Sequence, residues 1–242
     1  VSDFHTGDRV VSNGNHAEYV VVNHNLCTRI PDNTDIKEAS FTVLGSIALH
    51  GLRLSETSLG SKVVVIGLGI IGQLVCRLAE AQGSEVIGID PDTKRTDLSA
   101  NFYTSVEEAN MTNVDSVIIT AATSSNEPIE VATKIARNKA KIVVVGDIPL
   151  NISRNDFYYK ELELVVSKSY GPGRYDKQYE ILGKDYPIEY VRWTENRNFE
   201  AFIKLLSQNQ IHLLDLVTKE VSFDNAPSIY KQFSGEDKPL SV

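Results

Sequence analysis

The chain has 242 residues, of which 42% are hydrophobic and 23% charged, and a formal net charge of -8. That is the composition of a globular protein of one or two domains with a sizeable core. The acidic balance, without a run of like charge, argues against nucleic acid and anionic membrane partners, and no apolar run nears the roughly 18 residues that cross a bilayer.

Cys27 and Cys76 are the only cysteines. Their separation fits neither a disulfide framework nor a metal motif, so a reducing, cytoplasmic setting is expected. No signal peptide is visible. The opening "VSDFHTGDRVV" has no initiator Met and begins inside a strand lead-in, which suggests a missing N-terminal part.

In chain order, residues 8 to 30 alternate short apolar bursts ("DRVV", "AEYVVV", "NLCTRI") with Asn/Gly turns. This predicts a small β-rich piece, with Cys27 in its core. Thr34 or Asp35 can cap a short helix. "TVLGSIALHGLRLSETSLG" has helical spacing that places Leu44, Ile47, Ala48 and Leu52 on one face, with Gly60 marking the exit. From Ser61 onward, buried strands (62–66, 85–89, 114–120, 141–145, 162–167) alternate with helices, clearest at 70–82 and 127–138. Strands that are apolar throughout, interleaved with helices, predict a parallel sheet covered on both faces. In the tail, "YGPGRYDKQYEILGKDYP" reads as a long loop and "TENRNFEAFIKLLSQNQ" as an amphipathic helix starting at Thr194 or Glu195. "LVTKEVSF" alternates like a strand, and "DNAPSIYKQF" reads as a helix capped by Asp224.

Gly67, Gly69 and Gly72 form G-x-G-x-x-G between the strand "KVVVI" and the helix "IIGQLVCRLAEAQG". Alone the pattern is weak; in this context each glycine has a task. Gly67 allows the tight turn, Gly69 lets the backbone, with Leu68, Ile70 and Ile71, approach a pyrophosphate, and Gly72 lets helix and strand pack closely. The helix N-terminus then offers free N–H groups and a positive dipole end. Asp90 closes the second strand at the spacing expected of an acid that accepts bonds from the adenosine ribose and repels a 2′-phosphate. NAD is therefore the expected cofactor. Lys94 and Arg95 lie close enough to accommodate a 2′-phosphate and keep NADP as the second choice. The competing reading is a tight turn and a solvated acid. Ligands in such sheets bind beyond the strands' carboxyl ends, so Ala121, Ala122 and Thr123, with Gly146, Asp147 and Ile148, are expected to edge the nicotinamide half.

The order of these pieces, "TGDRVV…HAEYVVV…LCTRIPD" before the glycine strand and "KELELVVSKSYG" after it, resembles the medium-chain dehydrogenase/reductase superfamily, which includes the zinc alcohol dehydrogenases. "SNGNHAEYV", "FTVLGSIALHG", "TAATSSNEPIE", "SYGPGRYD" and "YPIEYVRWTE" resemble one branch, the dehydrogenase half of bacterial bi-domain oxidoreductases found with surface-polysaccharide genes. In those proteins the other half is of the Gfo/Idh/MocA type; a fused partner domain of that kind is implied here. The resemblance implies an α/β fold: a doubly wound Rossmann sheet (44–160) and a partial GroES-like catalytic domain built from both chain ends (1–43 and 161–242). It implies hydride transfer between NAD(P) and a carbonyl or alcohol, a small-molecule substrate, and homodimerisation near residues 162–168. Three departures stand out. Part of a catalytic domain is missing, only 25 residues separate Asp90 from Asp115, and Thr42 stands where zinc alcohol dehydrogenases carry a ligand Cys. Thr is not a usual zinc ligand, so zinc is not expected and a proton donor must replace it.

His50, on the helix after Thr42, is the candidate proton shuttle, with ordinary packing as the alternative. His16 is a weaker candidate of the same kind. Arg174 and Tyr175 on the long loop, and Arg192 beside Trp193, are candidates to bind a sugar acid or phosphorylated sugar, because a guanidinium fork matches carboxylate and phosphate. The alternative is a loop pinned by aromatic packing and Arg–Glu pairs. Three readings stay open: a zinc-free NAD-dependent oxidoreductase acting on a sugar-derived substrate in polysaccharide biosynthesis, a coenzyme-binding structural or regulatory module, and a zinc enzyme with ligands in a missing segment.

Overall fold

The computed structural model describes residues 4–99, 101–232 and 239–242. Near the N-terminus, β1 (Val10–Ser12) and β2 (Cys27–Arg29) form a two-stranded antiparallel sheet. A short helix α1 (Ile36–Ala39) follows, its N-terminus capped by the Asp35 carboxylate, which accepts from the Lys37 and Glu38 amides. This satisfies donors that have no partner within the helix. Next comes α2 (Thr42–Leu54).

The main sheet is built from β3 (Lys62–Ile66), α3 (Ile70–Ala81), β4 (Glu85–Ile89), α4 (Thr93–Thr96), β5 (Phe102–Tyr103), α5 (Val106–Ala109), β6 (Val114–Ile119), α6 (Glu127–Ile135), β7 (Ala136–Val144), α7 (Arg154–Lys160) and β8 (Glu163–Val166). Its six strands are all parallel, in the order β5-β4-β3-β6-β7-β8. The connection reverses direction between β3 and β6, which opens a crevice at their carboxyl ends. Alternate residues of the buried strands feed opposite faces. Val63, Val65, Ile118 and Val143 join α2, α3 and the tail in one core, whereas Val64, Ile66, Val117, Ile119, Ile142 and Val144 join α6 in the other. The doubly wound sheet is therefore as the apolar strands predict.

The tail adds α8 (Lys177–Glu180), α9 (Glu195–Ser207) and α10 (Ala226–Tyr230). Helix α9 packs on α2, where the Phe202 ring lies against Gly45 so closely that a Cβ there would sit 2.2 Å from it.

Several boundaries differ from expectation. The helix predicted over 127–138 ends at Ile135, because Ala136 already pairs with Val114 and Arg137 reaches back to Asp115 at 2.6 Å. Leu44, assigned to the packed face of α2, is exposed; that face is Thr42, Gly45, Ser46, Ala48, Leu49, Gly51 and Leu52. The β-rich start is smaller than its pattern suggests: "AEYVVV" forms no strand, and Tyr19 and Val21 are 87% and 103% exposed. Cys27 is in a strand but only partly buried. Residues 216–223 form no strand either. Their alternation finds no ladder, and Thr218 instead donates its hydroxyl to the Ser241 carbonyl. Helix α10 is capped at Asn225 rather than Asp224. Phe233, the end of that predicted helix, lies outside the described residues. The short interval between Asp90 and Asp115 holds α4, β5 and α5, a compressed version of a full strand-and-helix unit.

Candidate coenzyme site and the loop beside it

At the mouth of the crevice the three glycines differ in what surrounds them. Gly67 has φ +97°, and a Cβ there would meet the Ala121 backbone nitrogen at 2.5 Å; at Gly72 it would meet the Gly67 carbonyl oxygen at 1.9 Å. Both positions are closed by the protein itself. Gly69 faces open space: a Cβ would find only an Arg95 guanidinium nitrogen, 3.9 Å away. Gly69 is also the N-cap of α3, and no side chain caps that terminus. The first-turn amides therefore face a cradle that an anion can enter.

Neighbouring strand ends are tied to this turn. The Thr120 hydroxyl donates to the Gly67 carbonyl, the Gly146 amide donates to Ile119, and the Thr123 amide donates to Asp147 at 2.9 Å. A Cβ on Gly146 would lie 2.0 Å from the Ala121 carbonyl oxygen. Ala122, Thr123 and Asp147 are exposed at this edge, and Ala121, Gly146 and Ile148 are partly so. The six residues are thus brought together beside the glycine turn.

Asp90 is 4% exposed and already engaged. One oxygen accepts from the Leu68 amide at 2.7 Å and from Arg95 at 3.1 Å, and the other accepts from the Asp92 amide at 2.9 Å. Arg95 also pairs with Asp92 at 3.4 Å. The acid thus braces the glycine turn from within, with Arg95 lying over it; a ribose reaches the carboxylate only beside that guanidinium. The sequence spacing located Asp90 but gave no sign of the brace.

Thr42 is completely buried and its hydroxyl donates to the Ala39 carbonyl at 2.6 Å. His50 lies two turns further along α2, half-buried against Gly171: a Cβ on that glycine would be 2.9 Å from the imidazole Nδ1. Burial, and secondarily Arg53, lowers its pKa, so the ring is held neutral. Gly51, the next residue, packs on Val145 just after β7. His50 and Thr42 therefore share a helix but not an environment.

The tail loop is a connected polar structure. Arg174 pairs with Glu180 at 2.8 Å and lies over the Tyr170 and Tyr175 rings. Arg192 is exposed and stacks on Trp193, whose ring also carries Arg53. Burial, with Arg192 adding to it, brings the Arg53 pKa down to about 10. The three candidate substrate residues do not form one cluster. Sequence reasoning missed the group at the loop's centre. Asn13 donates to the Tyr170 hydroxyl, and Asn198 ties the Tyr170 carbonyl to Arg53. Glu195, read only as a helix start, is completely buried. Burial pushes its carboxyl pKa up to about 8, with Glu180 adding to the shift. His16 instead contacts the Tyr230 hydroxyl at 2.6 Å.

Residues 44–156 match the model of the NAD binding domain of D-isomer specific 2-hydroxyacid dehydrogenases. Over its whole length the chain is 25% identical to a D-guloside 3-dehydrogenase of Escherichia coli, covering 71% of that protein. It is 28% identical, over 64% of its length, to a 2-dehydro-3-deoxy-L-galactonate 5-dehydrogenase of Pseudoalteromonas atlantica, covering 49% of it. Among solved structures, galactitol-1-phosphate dehydrogenase from Escherichia coli superposes with a TM-score of 0.76 at 19% identity, covering 99% of this chain and 78% of that one. A zinc-binding dehydrogenase from Sinorhizobium meliloti bound to NADP gives 0.71 at 23% identity, covering 89% and 61%. The fold is the alcohol-dehydrogenase-like medium-chain type. The chain is an oxidoreductase that carries the nucleotide-binding domain of an NAD(P)-dependent dehydrogenase.

Zinc, for which the Sinorhizobium meliloti neighbour is named, is a poor fit to the described residues. The hydroxyl at Thr42 is committed and inaccessible, and no group of three or more His, Cys, Asp or Glu is placed to hold a metal among the described residues.

Proposed function

We propose that this chain transfers hydride between NAD(H) and a secondary alcohol or ketone of a sugar-derived substrate, in polysaccharide assembly, without a catalytic zinc. The observation that carries the reading is the cradle at Gly69: an open, uncapped helix N-terminus flanked by two glycines that the protein itself seals. The sugar glycoside and sugar acid for which two relatives are named support the substrate class. When bound, the nicotinamide coenzyme supplies the hydride. The chain's own residues hold it: the amides of Gly69 to Gly72 take the pyrophosphate, Asp90 and Arg95 meet the adenosine ribose, and the strand ends at 121–123 and 146–148 border the nicotinamide. Beside that ribose the Asp90 and Asp92 carboxylates already hold the Arg95 guanidinium, which supports NAD over NADP, while Lys94 on the same turn keeps NADP the second choice. His50, whose pKa burial and then Arg53 hold below the usual imidazole value, is the candidate proton shuttle of the site. The exposed Val166 on the edge strand β8 fits a homodimer joined there.

Titration of each coenzyme into the Asp90→Ala protein tests the assignment. We expect weaker NADH binding by about tenfold or more, on the scale of a lost charged hydrogen bond, and a narrowed preference over NADPH. Unchanged curves for both coenzymes would remove Asp90 from the site.

The second reading, a coenzyme-binding structural module, is favoured by the committed hydroxyl of Thr42. Coenzyme binding without any turnover across a panel of sugar carbonyls would establish it.

A further inference from the structure

Where the end of α2 meets the start of α9, two arginines carry charge that the protein does not balance. Arg53 and Arg192 both stack on the Trp193 indole, their guanidinium carbons 3.4 and 3.9 Å from its centre. The two carbons are therefore separated by no more than the sum of those distances. Neither arginine forms an ion pair among the described residues, whereas Arg77, Arg95, Arg137, Arg174 and Arg197 each do. Arg53 donates from Nε to Asn198 at 3.0 Å, and its two terminal nitrogens are neither bonded nor sealed from water among the described residues. Arg192 is exposed.

The surroundings fix the pair without cancelling it. Asn198 accepts from Arg53 and donates to the Tyr170 carbonyl at 3.1 Å, which sets the direction of the Arg53 fork. Arg197 donates to the Val191 carbonyl at 2.6 Å, anchoring the residue just before Arg192. The neighbouring acids do not neutralise the pair: Asp185 is taken by Arg197, and Glu200 acts on Arg192 only from beyond ion-pair range. An indole face attracts cations but brings no net charge. Two like charges thus stay close, and burial, then Arg192, brings the Arg53 pKa down to about 10, still charged at neutral pH. An anion between them would relieve the repulsion. A phosphate monoester suits two forks, because it has up to two negative charges and oxygens on several sides. A carboxylate offers one charge and two oxygens in one plane, enough for one fork.

Position connects the pair to the coenzyme site. His50 lies one turn before Arg53 on α2 and feels its charge. Gly51, between them, packs on Val145, the residue before Gly146 at the nicotinamide edge. We infer that Arg53 and Arg192, held against Trp193, bind the phosphate group of a phosphorylated sugar whose carbon chain runs past His50. This deepens the sugar reading given above and rests on it for the substrate, with Arg53 as a specificity residue that the helical pattern of α2 concealed.

Calorimetry on the full chain without coenzyme tests it, with D-glucose 6-phosphate and D-glucitol 6-phosphate set against their unphosphorylated parents, D-gluconate and inorganic phosphate. We expect saturable binding of a sugar phosphate, about tenfold or more tighter than any of the controls. Arg192→Gln, at an exposed position, should keep the melting temperature and weaken the sugar phosphate about tenfold, on the scale of a lost charged hydrogen bond. Arg53→Lys keeps the charge but loses the fork, and should weaken the sugar phosphate several-fold while leaving the parent sugar unaffected. Three results would overturn the inference: no saturable sugar phosphate, a control bound as tightly as the sugar phosphate, or indifference of the sugar phosphate to both substitutions. NADH binding, followed separately by fluorescence, reports on the dehydrogenase reading, so either idea can fail without the other.

Discussion

At the scale of single residues, the three glycines of the turn separate folding from function. Gly69→Ala adds a Cβ that meets nothing closer than 3.9 Å, so thermal stability should change little. The same methyl stands where a pyrophosphate approaches the backbone, and coenzyme affinity should fall at least tenfold in a fluorescence titration. Gly72→Ala drives a Cβ to 1.9 Å from a carbonyl oxygen. Helix and strand must separate, at a cost of about 1–3 kcal/mol or more, and the melting temperature should drop. If both variants lost stability equally, Gly69 would be a packing residue and the cradle would have no special standing. Asp90 shows how a residue can be located correctly yet half understood. Its spacing from Gly67 was legible, whereas its bond to the Leu68 amide depends on a turn whose shape no local pattern encodes.

At the scale of elements, α2 packs against both the sheet unit and the tail. Phe202 of α9 is fully buried and rests on Gly45 of α2. Phe202→Ala should cost about 3–5 kcal/mol, seen as a large fall in the denaturation midpoint, while the folded fraction keeps its coenzyme affinity because the glycine turn lies elsewhere. The parallel strands could be read from sequence because both their faces are buried, so Val and Ile fill every position from Val63 to Ile66. "AEYVVV" and "LVTKEVSF" carried strand-like patterns too, but a strand also needs a neighbour to bond with, and pattern alone does not supply one. The early end of α6 had a similar cause, since pairing between Ala136 and Val114 outweighed helix propensity. The polar cluster at Asn13, Arg174 and Glu195 was illegible because its members, 161 and 182 positions from Asn13 to the other two (174 − 13 and 195 − 13), meet only after the tail returns.

At the scale of the whole molecule, Glu195 links protonation to stability. In the folded chain its carboxyl titrates near 8 rather than 4.5, mainly because it is buried. The native state therefore holds a proton that the unfolded chain releases. Stability is greatest below about pH 4.5 as far as this group is concerned, declines as pH rises toward 8, and levels off above that, with a slope of at most about 1.4 kcal/mol per pH unit. Glu195→Gln should flatten that decline and raise the melting temperature at pH 8; parallel pH profiles for the two proteins would contradict this account. A different consequence follows from how the crevice is closed. Gly67, Gly72 and Gly146 are each pressed against main chain, so drift at those positions would wreck the scaffold before it altered preference. At the Asp90–Asp92–Arg95 corner the Arg95 guanidinium is held by the two carboxylates, a side-chain pairing laid over the main-chain bonds that fix Asp90. Any lineage that exchanged one coenzyme for the other would have to do so there, which makes that corner the cheapest place for selection, or a designer, to act.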